Sequence, residues 1–251
     1  MHTHAFCPLA FVPLRKNPEE QSEMISQILF GELMTVLETN EKWTYVRLYF
    51  DGYEGYADTK MLTFIPVEEY ERMSLLPKVF CNTHIETVDY EGEKIPVYMG
   101  ATFYKEKDDR FSVNGKEYRF PVQQQSGTLV DTARTMLNVP YLWGGKLPFA
   151  VDCSGFTQLI FRTHGISILR DASQQAEMGE EVVFLENTQP GDLAFFGDEE
   201  NISHVGMIIN PSTIIHASGK VRIDTLDSQG IYAKDSGRHT HHLRFIKRII
   251  P

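Results

Sequence analysis

The segment Asp152-Cys153-Ser154-Gly155 constrains this chain most, because it places a cysteine at the first turn of a predicted helix. Apolar residues recur behind it at helical spacing, namely Phe156, Leu159, Ile160 and Phe161. Asp152 suits the N-cap, and Gly165 lies where a helix end favours glycine. A helix start carries partial positive charge and free N–H groups, which favour a thiolate and can bind an oxyanion. The segment therefore predicts a cysteine nucleophile.

Two histidines that could serve this cysteine lie on two predicted strands, which are joined by the turn Asn210-Pro211-Ser212. A register that pairs Ile208 with Ile214 makes His204 and His216 diagonal neighbours on one face of the sheet. The glycine two residues after the first histidine leaves room between the two rings. A base and an orienting group often follow a cysteine nucleophile at a distance along the chain and meet it in space.

A zinc site is the alternative chemistry for the same three side chains, because Cys153, His204 and His216 are all possible zinc ligands. Structural zinc sites contain ligands in closely spaced pairs, and Cys153, His204 and His216 do not form such pairs. The spacing therefore favours nucleophilic catalysis.

Four motifs occur in a fixed order, namely Tyr141-Leu142-Trp143-Gly144-Gly145, Asp152-Cys153-Ser154-Gly155, His204-Val205-Gly206 and His216-Ala217-Ser218. Together they resemble the signature of the NlpC-type cysteine peptidases, papain-like enzymes that cut bacterial cell-wall peptides. The likeness extends roughly over residues 126–251, about half of the chain.

This resemblance implies an acyl-transfer enzyme that uses no metal and no cofactor. It assigns Cys153 as the nucleophile, His204 as the base and His216 as the residue that orients the base. Tyr141 corresponds to a tyrosine beside the oxyanion site. The implied fold of this region is α+β, with helices packed on one antiparallel sheet.

The amino-terminal part of the chain is predicted to be a small all-β domain covering residues 1–65. Trp43–Phe50 alternates as a strand does, and Asp51-Gly52 is a hairpin signal. The stretch from Trp43 through Asp51-Gly52 to Ala57 resembles the bacterial SH3-like domains that accompany this peptidase family.

Residues 66–123 are predicted to form either a second, degenerate SH3-like barrel or an elaborated linker. A hinge is predicted at 123–127, before a peptidase domain covering residues 124–251. Near the end of the chain, His239, His241 and His242 are predicted to lie in a solvated loop without a catalytic role.

Relatives with amino-terminal SH3-like domains include γ-D-glutamyl-L-diamino-acid endopeptidases, which act on muropeptides with a free N-terminal L-Ala. The resemblance implies that Asp171 binds the substrate ammonium, although this carboxylate could instead cap a helix. Asp152 and Ser154, which flank the nucleophile, are further predicted substrate-binding residues. The relatives often have serine where this chain has Ala172, so one hydroxyl contact is missing here.

Glu23 and Tyr53 are the predicted substrate-binding residues of the first domain, with Tyr56 as an alternative to Tyr53. The predicted substrate is L-Ala-γ-D-Glu followed by a diamino acid. Two other functions stay open, namely a hydrolase or amidase acting on intact cell wall and a binding module with an inactive catalytic domain.

Composition limits the partners of the protein. The net charge of −10 disfavours nucleic acid and anionic membranes. Three cysteines form too sparse a set for a disulfide framework and suit a reducing compartment. Residues 1–8 lack the features of a signal peptide, so a cytoplasmic monomer is expected if Met1 is the native start, and a periplasmic or secreted protein otherwise.

Overall fold

The computed structural model describes residues 3–123 and 127–250, and the chain divides into two compact units. The first unit contains the residues up to Gln125 together with Arg162–Ser167, and the second contains Ser126–Phe161 and Ile168–Pro251. Of the predicted hinge at 123–127, residues 124–126 lie outside the described residues.

The first unit begins with an antiparallel seven-stranded sheet. Its strands are β1 (His4–Phe6), β2 (Phe11–Arg15), β3 (Met24–Leu29), β4 (Leu33–Thr39), β5 (Trp43–Leu48), β6 (Glu54–Asp58) and β7 (Thr63–Ile65), in the spatial order β3-β2-β6-β5-β4-β1-β7. The predicted Asp51-Gly52 turn joins β5 to β6, and Gly52 adopts φ +72°, a conformation that favours glycine. A short 3₁₀ turn at Thr59–Met61 follows β6.

The second part of this unit contains one helix and two further sheets. Its elements are α1 (Val67–Leu75), β8 (Lys78–Phe80), β9 (Ile85–Tyr90), β10 (Glu93–Tyr98), β11 (Thr102–Tyr104), β12 (Arg110–Val113) and β13 (Lys116–Arg119). The strands pair as a sheet of order β10-β9-β13-β12 and as a separate β11–β8 pair. A turn at Asn114-Gly115 joins β12 to β13, with both residues at positive φ.

One hydrophobic cluster joins the two parts of the first unit. Phe6 and Phe30, from the first sheet region, pack in it with Phe103, Phe111 and Tyr118. The Phe111 and Tyr118 rings stack with centroids 5.1 Å apart. Residues 66–123 therefore contribute to a shared core, and their description as a second barrel stays a prediction.

The second unit combines helices with an antiparallel sheet, as predicted. Its elements are α2 (Leu129–Thr135), β14 (Lys146–Leu147), β15 (Ala150–Val151), α3 (Cys153–Thr163), α4 (Ala172–Ala176), β16 (Glu180–Glu181), β17 (Leu193–Gly197), β18 (Ile202–Asn210), β19 (Thr213–Ser218), β20 (Lys220–Asp227), β21 (Gly230–Ala233) and β22 (Arg238–Arg248). A 3₁₀ turn at Leu185–Asn187 lies between β16 and β17. The last two residues of α3 belong to the first unit.

The large sheet has the order β16-β22-β17-β18-β19-β20-β21, and β22 also pairs with β21. The long β22 strand pairs with β17 through its later residues and with β21 through its earlier ones. The six strands β17 to β22 therefore close on themselves. The predicted apolar face of α3 is buried, and the predicted fold class is confirmed.

Helix α2 ends at Thr135; beyond it Asn138 adopts the left-handed φ of +69° and Pro140 follows. The sequence prediction was wrong about one feature of this unit. His239, His241 and His242 lie in β22, not in a loop. Their polar neighbours conceal the strand in the sequence, and its pairing with β21 becomes visible only in the folded sheet.

None of the helices in the described part of the chain is long and apolar enough to cross a membrane. The three cysteines, Cys7, Cys81 and Cys153, are buried and are not joined by disulfide bonds.

Candidate active site

Cys153 is the first residue of α3, and Asp152 caps this helix as predicted. The Asp152 carboxylate accepts the Gly155 N–H at 2.6 Å and the Gly144 N–H at 2.9 Å. At the other end, Gly165 adopts φ +75° and donates its N–H to the Arg162 carbonyl. The cap fixes the first turn of α3 and therefore the backbone position of the nucleophile.

Arg170 is a buried partner of this cap that sequence analysis missed. Its guanidinium donates to both Asp152 carboxylate oxygens, at 3.0 Å and 2.6 Å, and to the Ser154 hydroxyl at 3.0 Å. Asp152 and Ser154 are themselves buried, and these internal contacts hold the start of the helix. Binding of substrate by Asp152 and Ser154 stays a prediction. The sequence offered one signal, because Arg170 directly precedes the selected Asp171.

The glycines of the Tyr141–Gly145 motif and of the cysteine motif allow two backbone segments to touch. A Cβ atom added to Gly155 would lie 2.1 Å from the Gly145 carbonyl oxygen. This distance is far below van der Waals contact, so the first turn of α3 can approach the motif only without a side chain. The two motifs are therefore parts of one site.

The sulfur of Cys153 is protonated in the resting protein. Burial, and then the Asp152 carboxylate, raise the pKa of this thiol to about 11, although N–H groups of Val205 and Ser154 act in the opposite direction. The predicted preference of the helix start for a thiolate is therefore outweighed by burial. The contact with Val205 also places the sulfur beside β18, one residue from His204.

The two histidines meet as the sequence register predicted. Ile208 pairs with Ile214, and Gly206 pairs with His216. His204 Nε2 and His216 Nδ1 lie 2.9 Å apart, within hydrogen-bonding distance. A Cβ atom on Gly206 would lie 2.8 Å from the His216 Cβ, so this glycine provides the space that brings the rings together.

A buried carboxylate extends the pair into a longer chain of hydrogen bonds. His216 Nε2 donates to Asp224 Oδ2 at 3.0 Å. Arg222 donates from Nη2 to Asp224 Oδ1 at 2.9 Å, and its Nε lies 2.6 Å from Oδ2 as an ion-pair contact. Burial opposes ionisation of Asp224, but the hydrogen bonds from His216 and Arg222 outweigh it and lower its pKa to about 2. Asp224 is therefore ionised at neutral pH.

His241 covers one face of His204. The two rings are stacked, with centroids 4.1 Å apart and an angle of 26° between their planes. Burial lowers the pKa of His241 to about 4. Burial also holds the pKa of His204 well below its ordinary value, and neighbouring His216 and His241 add to this effect. His204 and His241 are therefore uncharged at neutral pH, and His204 is available to accept a proton.

Tyr141 pairs with Val151, two residues before Cys153, and its role beside the oxyanion stays a prediction. Burial, followed by the charges of Cys153 and Asp152, raises the pKa of its phenol to about 12. Its backbone N–H donates to the Gly219 carbonyl at 3.0 Å. The Tyr141 hydroxyl is therefore a neutral hydrogen-bond donor in the neighbourhood of the sulfur, which is the state an oxyanion partner needs.

Three further predicted residues have defined surroundings within their own units. Asp171 is the N-cap residue of α4, and its N–H donates to the Gln174 side chain at 3.0 Å. Glu23 precedes β3 and lies 3.3 Å from Lys16 Nζ. Tyr53 packs against the core of the first sheet, and its N–H donates to Asp51. Their contact with substrate stays a prediction.

Within residues 3–123 and 127–250, no group of three or more histidine, cysteine, aspartate or glutamate side chains is arranged to hold a metal ion. In the candidate site, the thiol of Cys153 lies next to a hydrogen-bonded chain that consists of the His204 imidazole, the His216 imidazole and the Asp224 carboxylate. Such an arrangement can accept the proton of an attacking cysteine and return it to a leaving group.

Comparisons with known families identify both parts of the chain. The NlpC/P60 family matches residues 138–239, and the bacterial dipeptidyl-peptidase Sh3 domain matches residues 14–62. The segment that contains the cysteine and both histidines therefore matches the NlpC/P60 family, and the segment before it matches a bacterial SH3 domain. The predicted family, enzyme class and SH3-like domain are confirmed.

Two curated relatives have the same name, gamma-D-glutamyl-L-lysine dipeptidyl-peptidase. The one from Bacillus subtilis (strain 168) is 38% identical over 151 residues, which cover 57% of this chain and 47% of that protein. The one from Bacillus cereus (strain ATCC 10987 / NRS 248) is 27% identical over 261 residues, covering 86% of this chain and 74% of that protein.

The crystal structure of an NlpC/P60 family protein from Bacillus cereus ATCC 10987 has the same fold. It matches with a TM-score of 0.80 at 22% identity, covering 99% of this chain and 100% of that one. The match therefore includes residues 66–123, the part of the chain whose nature the sequence left open.

Proposed function

We propose that this protein is a cysteine peptidase that hydrolyses the γ-D-glutamyl–diamino acid bond of cell-wall muropeptides with a free N-terminal L-Ala. The observation that carries the proposal is the contact of His204 with His216 next to the buried thiol of Cys153. The names of the two relatives and of the matched SH3 domain support the choice of a dipeptidyl-peptidase.

The proposed reaction begins with a neutral thiol and a neutral imidazole. The Cys153 sulfur attacks the carbonyl carbon of the γ-glutamyl amide while its proton passes to His204. The Cys153 N–H and the Tyr141 hydroxyl donate to the oxyanion. Protonated His204 then gives the proton to the leaving amine, and the C–N bond breaks. Water, activated by His204, hydrolyses the thioester and releases the dipeptide and the free thiol.

The free amine of the substrate is proposed to bind the Asp171 carboxylate. An ammonium removed from water needs a carboxylate partner, and an acetylated amine would leave that carboxylate without its cation. Loss of a buried charged partner typically costs about 3–5 kcal/mol, or roughly two to four orders of magnitude in rate if the contact is made in the transition state. Glu23 and Tyr53 are proposed as further contacts of this amine.

The test compares kcat/KM for L-Ala-γ-D-Glu-diaminopimelate, the corresponding lysine peptide, their N-acetylated forms and intact sacculi. Fast cleavage of the free-amine peptides alone is the expected result. Asp171→Asn should reduce the preference for the free amine, whereas Asp198→Asn, at an exposed turn, should not. Equal rates on free and blocked substrates, or activity on sacculi, would contradict the proposal and indicate an enzyme of intact cell wall.

A role in muropeptide recycling inside the cell is part of the proposal. It is supported by Cys7 and Cys81, which are buried thiols outside disulfide bonds and suit a reducing compartment. Loss of the gene should lead to accumulation of soluble L-Ala-γ-D-Glu-containing peptides in cell extracts, measured by mass spectrometry. Accumulation confined to the culture medium would instead place the activity outside the cell.

A further inference from the structure

The hydrogen-bond chain that starts at His204 continues past His216 to a buried charge. Asp224 lies on β20, where Ile214 pairs with Asp224 and His216 pairs with Arg222. Asp224 is thus the diagonal neighbour of His216 on the same face, and its side chain is 3% exposed. Burying a carboxylate at this position is costly unless its partners compensate, so its contacts indicate a function.

The direction of each hydrogen bond follows from which atoms of Asp224, His216 and His204 carry a proton. An ionised carboxylate can only accept, so the proton between Asp224 and His216 is on His216 Nε2. If His216 carries only this one proton, its Nδ1 has a lone pair, and His204 then carries its proton on Nε2 to fill the 2.9 Å contact. His204 Nδ1 is left with a lone pair, which is the nitrogen that can take the thiol proton.

We propose that Asp224 is a positioning residue that fixes the tautomers of His216 and His204 in series and so makes His204 a base. Without a fixed acceptor at Asp224, His216 could carry its proton on Nδ1. His204 would then have to accept a hydrogen bond from His216 Nδ1 through its own Nε2, and it would carry its proton on Nδ1. In that state no lone pair faces the cysteine, and proton transfer from the thiol stops.

Arg222 holds the carboxylate in the orientation that this role requires. Its guanidinium contacts both Asp224 oxygens, and its Nη1 donates to Asp235 Oδ2 at 2.8 Å. Asp224 therefore cannot rotate without breaking its contacts with Arg222. Arg222 and Asp235 are nearer the surface than Asp224. Arg222 therefore connects the buried hydrogen-bond chain to an ion pair that is partly exposed to solvent.

The role of Asp224 rests on the proposed cysteine peptidase chemistry, but two measurements need no peptide substrate. The first is ¹⁵N NMR of the histidine side chains in the unmodified protein, with His204 and His216 assigned by substitution. Both rings are expected as neutral Nε2–H tautomers. A His216 that is found as an imidazolium or as the Nδ1–H tautomer overturns the proposal, and this result needs no folded variant of Asp224.

The second measurement is the rate at which iodoacetamide alkylates Cys153, with the Cys153→Ser protein as the blank. Asp224→Asn should lower this rate, and kcat on the peptide, by about 10–100-fold, the range for groups that orient ligating histidines. KM should change little, and the NMR spectrum should show a changed tautomer. Asp224→Glu should restore part of the rate, because a carboxylate is still present.

Asp227→Asn is the matched control. Asp227 lies on the same strand, and its carboxylate accepts from His239 Nε2 at 2.9 Å and from the N–H groups of Gln229 and Gly230. It should change stability without changing alkylation rate or tautomers. A folded Asp224→Asn protein with unchanged alkylation and tautomers overturns the proposal. If the variants change the alkylation rate as expected but the wild-type protein does not cleave the peptide, the proposed substrate is wrong and the role of Asp224 stands.

Discussion

At the scale of single residues, this site stores a proton on sulfur and keeps its base uncharged. Burial is the first cause of both effects, since it raises the pKa of Cys153 and lowers that of His204. A resting ion pair of thiolate and imidazolium is therefore disfavoured. The proton moves only when a substrate carbonyl is in place to accept the electrons of the sulfur.

Substitution of the three central residues should remove activity to different degrees. Cys153→Ala should abolish hydrolysis with the fold intact, and His204→Ala should cost several orders of magnitude because the groups act as a unit. His216→Ala should cost less, since it orients and does not transfer the proton. Steady-state kinetics and circular dichroism check this. A folded, active Cys153→Ala protein would end the assignment of the nucleophile.

The acid limb of the pH–rate profile should lie below the ordinary histidine range. His204 must be neutral to accept a proton, and because its pKa is lowered, activity should persist to below pH 6.5 before it falls. His241→Ala should expose His204 to water and move the acid limb of kcat/KM upward, whereas His241→Phe should keep the stack and the limb. Identical profiles in the two variants would show that the ring of His241 does not influence the base.

The stability of the protein should also depend on His241. Its pKa is about 4 in the folded state and 6.5 for the unperturbed group, so the unfolded chain binds more protons between these values. Stability should therefore be complete above pH 6.5 and decline as the pH falls towards 4. Thermal unfolding from pH 4 to 8 measures this. His241→Phe should weaken the dependence, and an unaltered slope in that variant would assign the effect to other groups.

At the scale of elements, the β18–β19 pair brings the rings of His204 and His216 together because Gly206, between them, has no side chain. Gly206 is directly opposite His216. A Cβ atom added to Gly206 would lie too close to side-chain atoms of Ile214 and His216 for van der Waals contact. Helix α3 and the Tyr141–Gly145 loop use Gly155 in the same way. These contacts are between backbone segments or branched side chains that cannot move aside cheaply.

Gly206→Ala should therefore destabilise the protein and reduce activity. The new Cβ would lie 2.7 Å from Ile214 Cδ1 and 2.8 Å from His216 Cβ, so the strands must separate and the His204–His216 contact must lengthen. Overpacking of this kind costs about 1–3 kcal/mol. Denaturant unfolding and kcat measure the two effects. The double variant with Ile214→Val should recover part of the stability, and no recovery would show that the Ile214 contact is unimportant.

At the scale of the whole molecule, the first unit contains a buried ion pair that closes over a long sequence separation. Arg162 Nη1 contacts Glu32 Oε1 at 2.5 Å, and the two side chains are 0% and 2% exposed. The guanidinium also donates to the Gly100 carbonyl and the Thr102 hydroxyl, and it stacks 4.1 Å from the Phe50 centroid. Glu32 additionally accepts the Leu29 N–H.

Glu32→Gln should be strongly destabilising, because it leaves Arg162 charged, buried and without its counter-ion. Breaking one side of a buried pair costs about 3–5 kcal/mol. Glu117→Gln is the control, since its partner Arg110 and Glu117 itself are 40% and 60% exposed, and such surface pairs contribute about 0–1 kcal/mol. Denaturant midpoints of the two variants test the difference, and equal shifts would show that the buried pair is energetically ordinary.

The sequence determined those parts of the protein that depend on local spacing. Helical periodicity located α3 and its cysteine, and strand patterns with a turn signal located the two strands, on which one of the possible registers joins His204 to His216. It also predicted the family and the α+β class. These features are local because a helix face and a hairpin register are set by residues within one or two elements.

Only the tertiary structure decided which polar groups surround the reacting pair. Asp224, Arg170 and His241 lie on elements that follow or are distant from the motifs, and their sequence neighbourhoods resemble ordinary polar strands and loops. Arg222 and Asp224 alternate along β20 and so share one face of the sheet, but the approach of this face to His216 depends on the β19–β20 register. A polar side chain acquires a catalytic, positioning or structural role from burial and from its partners, and both are fixed only when separate elements pack together.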